Sequence, residues 1–213
     1  KSPTDMGVNM VGFCISDDEV CCEASKNEII RRYYDATNKM ARGACNENEI
    51  SKIQMLFNQA KINTDFRRTT VAAKECLKRT GHTSSAIELE DGTIVTAHSS
   101  LLLGCSAALL LNVMKHLAGI DHDTKLIPQS MIEPIQYTKV NYLGGHNPRL
   151  HTDEVLVALS VLSNVDDRCT KALAQLPKLR GCQVHCTVML SEVDQKIFKK
   201  LGVNLTCEPV LKK

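Results

Sequence analysis

The stretch LGGHNPRLHTDEVLVAL, residues 143–159, gathers Asn147, Arg149, His151, Thr152, Asp153 and Glu154 between a glycine pair and an apolar helix pattern. These residue types suit an anion held at a helix N-terminus. Free backbone N–H groups and the helix dipole attract negative charge there. Arg149 offers a planar fork to a carboxylate or phosphate, and His151 is of the type that exchanges a proton near neutrality. Asn147 and Thr152 would orient the ligand, with Thr152 read as the N-cap. Capping alone accounts for Thr152, Asp153 and Glu154, but not for Asn147, Arg149 and His151 together.

Two further stretches carry polar groups that would complete such a site. In KSPTDMGVN, Ser2, Thr4 and Asp5 form a short polar loop beside Gly7, with Asp5 as a second proton carrier; a turn leading into the next helix is the competing reading. In TAHSSLLLGCSAALL, Ser99 and Ser100 stand at the mouth of a buried helix and either is a natural cap. Cys105 in that helix would need a lowered pKa to act as a nucleophile; a lone Cys in an apolar helix is more often inert packing. Cys182, His185 and Cys186 are spaced so that on a strand the two thiols face one way and the imidazole the other, which opposes a shared metal ion.

These residues need elements to hold them. Residues 1–16 read as an extended lead-in, with VGFCI as a short strand. Residues 17–80 read as a helical subdomain of three helices, the first capped at Ser16 and stopped at Gly43, the second capped at Asn46, the third ending at Gly81. At Gly81 the texture changes. SSAIELEDGTIVTA is two β-like runs joined by Asp91-Gly92, a strong hairpin signal. Then follow a long apolar helix over SLLLGCSAALLLNVMKHLAG, a short strand TKLIP and a helix over SMIEPIQYTKVNYLGG with Pro134 in its first turn. Helices over TDEVLVALSVLSN and DDRCTKALAQLPKL come next, the latter closed by Pro177. The strand CQVHCTVML, the helix SEVDQKIFKKLG with Ser191 and Asp194 at capping-box spacing, and the strand VNLTCEP complete the order. Over 81–213 this predicts a layered α/β subdomain with a mixed sheet.

Composition narrows the function. The chain has 213 residues, 43% hydrophobic and 23% charged, with a net charge of +2 and only 4% aromatics. No basic stripe or stacking platform for nucleic acid stands out. The longest apolar run, LLLGCSAALLL, is shorter than the ~20 residues a bilayer demands. Ten cysteines in a chain of strong helical pattern point to free thiols in a reducing cytosol. The first residues, KSPTDMG, lack an initiator Met and any leader pattern, so the chain is expected to be a fragment of something longer.

The stretches SPTDMGVNMVGFCISDDEV, ASKNEIIRRYY, EPIQYTKVNYLGGHNPRLHTDEVLVAL and QLPKLRGCQVHCTVMLSEVDQKIFKKLGVNLTCEP resemble an uncharacterised, mainly bacterial domain-of-unknown-function family (number eighteen forty-six), sometimes labelled an ATP-dependent peptidase. The resemblance runs nearly end to end and matches the family's C-terminal half. It implies a helical subdomain followed by a three-layer α/β subdomain of cytidine-deaminase-like topology, and no known reaction. The labels can be tested. Neither the H-E-x-x-H of a zinc peptidase nor the G-x-x-x-x-G-K-[ST] of a P-loop occurs. Deaminase chemistry needs a glutamate two residues after the metal ligand that opens the helix. Here Cys105 is followed by Ala107, and no P-C-x-x-C appears.

The sequence therefore predicts a cytosolic α/β protein whose loop at 2–9, turn at 145–153 and helix mouth at 98–105 meet around a small anionic or nucleotide-like ligand. Arg149 would bind it, Asp5 or His151 would move a proton, and Asn147, Thr152, Ser2, Thr4, Ser99 and Ser100 would position it. A non-catalytic ligand-binding or homo-oligomerising module that supports a separate N-terminal half is the alternative. No cofactor or metal is identified by the sequence.

Overall fold

The computed structural model describes residues 18–44 and 47–210, with Glu47 by its backbone alone. Ser2, Thr4, Asp5, Ser16, Asn46 and the VGFCI stretch lie outside the described residues. Three helices come first: α1 (Asp18–Ala41), α2 (Glu47–Ala60) and α3 (Arg68–Thr80), the last preceded by a 3-10 turn at Thr64–Phe66. Gly81 closes α3 at φ 71, a left-handed conformation that a side chain disfavours.

The hairpin β1 (Ser84–Glu88) and β2 (Ile94–His98) follows. Gly92 takes φ 80 in its turn, and Asp91 accepts a bond from the Thr93 N–H at 2.9 Å. Then come α4 (Cys105–Leu117), α5 (Gln129–Tyr137), α6 (Thr152–Leu162), α7 (Asp167–Leu173), β3 (Gln183–Cys186), α8 (Glu192–Leu201) and β4 (Asn204–Cys207). The sheet order is β2-β1-β3-β4. β1 is antiparallel to both neighbours and β3 is parallel to β4, so β2, β3 and β4 all point the same way.

The two faces of the sheet differ. The registered row Ala97, Ser85, Cys186 and Cys207 looks toward α4, where the Ser85 hydroxyl donates to the Cys105 carbonyl at 2.8 Å. On this side Ile87, Val184, Leu109, Met114, Leu159 and Phe198 join one apolar core. The next row, Thr96, Ala86, His185 and Thr206, looks the other way, where the His185 ring meets Tyr34 of α1 with centroids 5.0 Å apart. Helices α1 and α3 cover this second face. The result is three layers, with a mixed sheet in the middle.

Local expectations are corrected in five places. TKLIP forms no strand: Leu126 and Ile127 are buried without joining the sheet. Helix α4 starts at Cys105 with Gly104 as N-cap, so neither Ser99 nor Ser100 caps it. His151, not Thr152, is the N-cap of α6. Pro134 is the sixth residue of α5 rather than part of its first turn, and the chain beyond winds into a π turn over Thr138–Tyr142. The segment after α7 forms a separate 3-10 turn, Leu176–Leu179, that contains Pro177.

Candidate acid–base site at the carboxyl ends of the parallel strands

Because β2, β3 and β4 run in one direction, the chain leaves all three at one end of the sheet. In open α/β sheets that end is where ligands bind. The segment after β2 meets the lead-in to α6: Leu150 N–H donates to the Leu102 carbonyl at 2.9 Å, and Gly104 N–H donates to the Leu150 carbonyl at 3.2 Å. The segment after β3 delivers Ser191 and the start of α8 to the same place. The N-termini of α4, α6 and α8 thus converge.

At their meeting point sits Asp194, whose side chain is 1% exposed. One carboxylate oxygen accepts from the Thr152 N–H and hydroxyl, both at 2.9 Å. The other accepts from the Ser191 hydroxyl at 2.9 Å and lies 3.0 Å from His151 Nδ1. Burial works to raise the pKa of this carboxyl. The His151 ring, the Thr152 N–H and the Ser191 hydroxyl outweigh it and hold the group down at about 2. An ionised carboxylate only accepts, so His151 Nδ1 is the donor in this contact, and Nε2 is the ring nitrogen that Asp194 leaves free. The first turn of α6 is also closed by Glu154, which accepts from the His151 N–H at 2.7 Å.

The anion at the N-terminus of α6 is therefore the protein's own. Arg149 lies two residues before the cap. Its Nε donates to the Ser100 carbonyl at 2.7 Å, and its terminal amines have no partner among the described residues. Asn147 accepts from the Arg149 N–H at 3.2 Å and shapes the turn. Lys139 of the π turn donates to the Arg149 carbonyl and to Glu154, at 2.9 and 2.8 Å. Ser100 accepts from the Leu102 and Leu103 N–H groups, while buried Ser99 receives the Thr83 hydroxyl at 2.9 Å. Asn147, Arg149, His151, Thr152, Ser99 and Ser100 are thus brought to one end of the sheet. Nearby, a cleft of 320 Å³ between α4 and α5 is lined by Leu102, Leu103, Leu111 and Ile132; Arg149 and His151 do not line it.

The position that would carry deaminase chemistry is filled by packing. Cys105 and Ala107 are fully buried, and Cys186 is pushed well up by hydrogen bonding with the Cys105 and Cys207 thiols and by burial. Among the described residues no three His, Cys, Asp or Glu side chains are grouped to hold a metal ion. His185 faces away from Cys186, as strand geometry requires.

Two features lay outside the reach of sequence reasoning. Asp194 was legible only as a capping residue of its own helix, because its bond to His151 spans 43 positions. On the opposite face of the sheet, Glu208 joins Tyr34 Oη at 3.1 Å, Lys74 Nζ at 3.1 Å and His185 Nε2 at 3.5 Å. Burial lowers the pKa of His185; burial works to raise that of Glu208, but its contact with His185 and the Lys74 ammonium outweigh this and hold it at about 2. No motif joins residues so far apart.

The chain matches the domain of unknown function DUF1846 twice, its N-terminal part over residues 1–61 and its C-terminal part over 65–213. It is 53% identical over 209 residues to the UPF0371 protein cu0538 of Corynebacterium urealyticum, covering 98% of this chain and 42% of that protein. It is 49% identical over 213 residues to the UPF0371 protein DIP2346 of Corynebacterium diphtheriae, covering 100% and 43%. It is 45% identical over 209 residues to the UPF0371 protein SpyM50764 of Streptococcus pyogenes, covering 98% and 42%. The chain thus spans about two-fifths of the length of these relatives.

Proposed function

We propose that this chain, which belongs to the DUF1846 family, carries an acid–base site for a small anionic or nucleotide-like ligand at the carboxyl ends of its parallel strands. The observation that carries the reading is the Asp194–His151 pair. A buried carboxylate fixes the imidazole by Nδ1 and leaves Nε2, on a side chain 21% exposed, as the proton-accepting atom. A histidine kept only for capping would not need a buried anion behind its ring. In this reading His151 moves a proton, Asp194 positions it, and the free amines of Arg149 hold the anionic group. Asn147 and Ser100 aim the guanidinium, and Thr152 and Ser99 complete the frame. Ser2, Thr4 and Asp5, which lie outside the described residues, are proposed as further polar groups of the site.

The eight cysteines among the described residues are free thiols, which supports a reducing, cytosolic setting. None of the described helices is long and apolar enough to cross a membrane. A second reading, a module that supports the rest of a longer protein or self-associates, draws on exposed Leu101, Tyr137, Tyr142 and Leu143. Interfaces favour such apolar and aromatic groups.

Thermal denaturation of the chain with orthophosphate, pyrophosphate and adenosine monophosphate tests the first reading. At least one of them should raise the melting temperature, Arg149→Ala should remove the gain, and the His151 ring resonances should move on titration. If none stabilises the protein, or if the gain survives Arg149→Ala, the acid–base site is discarded. Concentration-dependent self-association that Tyr142→Ser abolishes would then favour the second reading.

A further inference from the structure

We propose that the outer edge of β4 is a docking site for an extended, acidic peptide segment, which adds to the sheet beside β4. β4 is the terminal strand of the four, and β3 is its only neighbour in the sheet among the described residues. In a parallel pair alternate residues turn both backbone groups to the partner strand. The N–H groups of Asn204 and Glu208 donate to the Cys182 and Cys186 carbonyls, each at 2.9 Å, so the even-numbered residues serve β3. Leu205 and Cys207 therefore face outward. The Cys207 carbonyl confirms the direction, because it accepts from Asn38 Nδ2 of α1 at 2.7 Å. The Leu205 N–H and carbonyl and the Cys207 N–H have no partner among the described residues. Unpaired edge groups of this kind are a template for strand addition.

The surroundings leave room for a strand. A hollow of 200 Å³ runs along Leu205, Thr206 and Cys207 beneath α1. A second, of 800 Å³, continues along Gly202, Val203, Asn204 and Leu205 toward α8. The two share Arg31, Asp35, Arg42, Gln195 and Leu205, so they form one groove over the whole of β4, walled by α1 and α8.

Charge selects the occupant. Each acid of the groove is answered from its own helix: Glu28 by Arg31 and Arg32, Asp35 by Lys39, and Glu192 by Lys196. Arg42, one residue beyond α1, and Lys199 on the α8 wall have no acidic partner among the described residues. Side chains of an added strand alternate between these walls, so neighbouring acidic residues on it reach both cations. The groove lies outside the carboxyl-end frame built around Asp194, and strand addition there does not require an acid–base role for that frame.

The probe is a fluorescent, acetylated and amidated hexapeptide of valine and glutamate. It is compared with a twin bearing lysine in place of glutamate and with a twin N-methylated at alternate backbone nitrogens. The glutamate peptide should bind saturably, more weakly as salt rises, and both twins should bind at least roughly tenfold more weakly. Leu205→Pro removes one outward N–H without touching the ladder to β3; because Leu205 also packs against the core, it is compared with Leu205→Ala, and only the proline variant should abolish binding. Equal binding of the N-methylated twin would overturn strand addition, equal binding of the lysine twin would overturn the acidic partner, and no binding of any peptide would overturn both. If Leu205→Pro fails to fold, the peptide comparison decides alone.

Discussion

At the scale of single residues, the determining group is Asp194. Its carboxyl is held at about 2 in the folded protein against an ordinary value of 3.8. A carboxylate depressed in this way adds stability in full above its unfolded pKa and loses it as pH falls through the folded one. The window runs from about 3.8 down to about 2, and the loss across it is ~2 kcal/mol. Asp194→Asn should lower the urea midpoint at neutral pH and flatten its fall through that window; an unchanged slope would show that the carboxylate gains nothing from His151, Thr152 and Ser191 together. Arg67 raises a different expectation. It is 1% exposed, donates to the Val184 and Asn204 carbonyls, and leaves Nε and Nη1 unpartnered. Burial lowers its pKa to about 10. Arg67→Ala should destabilise by ~3 kcal/mol in denaturant titration, because two carbonyls lose a donor and a large cavity opens. His151 was legible from its neighbours in sequence, whereas Asp194 and Arg67 were not, since nothing local marks a charge that a distant helix or strand will bury.

At the scale of elements, patterns with a sharp local cause were readable. Gly81 and Gly202 end their helices in the left-handed region, Asp91-Gly92 turns the hairpin, and Ser191 caps α8 by accepting from Asp194 N–H. Where tertiary contacts decide, the reading slipped. Leu101 to Gly104 look helical by hydropathy, but pairing of Leu103 with Leu150 draws them out as a bridge. Downstream, α5 gives way to the π turn, a feature often found at functional sites. Gly145 is locked against it: its N–H donates to the Lys139 carbonyl at 2.9 Å, and a Cβ there would meet that same oxygen at 2.9 Å. Gly145→Ala should therefore cost ~1–3 kcal/mol and separate Lys139 from Glu154, seen as a lower melting temperature and as new salt-independence of that melt.

At the scale of the whole molecule, the expectation of a helical segment followed by a mixed α/β sheet holds. What the sequence left out is that the early helices form an outer layer of that sheet, because they bury Thr37, Thr69 and Thr70 alongside Ile30 and Ala73, and the polar members dilute the hydrophobic signal. The layering makes a prediction for the thiols. Cys76, Cys105, Cys169, Cys182, Cys186 and Cys207 are buried, and Cys22 is exposed. Alkylation mapped by peptide mass should label Cys22 at once and the six buried thiols only at the rate of global opening; rapid native labelling of Cys186 would mean that the layers part locally. Helix α8 ties two parts of the molecule together. Consecutive side chains on this ten-residue rod, Asp194 and Gln195, report to different compartments, the first to the imidazole and the second to the β4 groove. A rod so short moves as one piece, so mutational drift that retunes either compartment must be tolerated by the other, and the two would have to evolve in step.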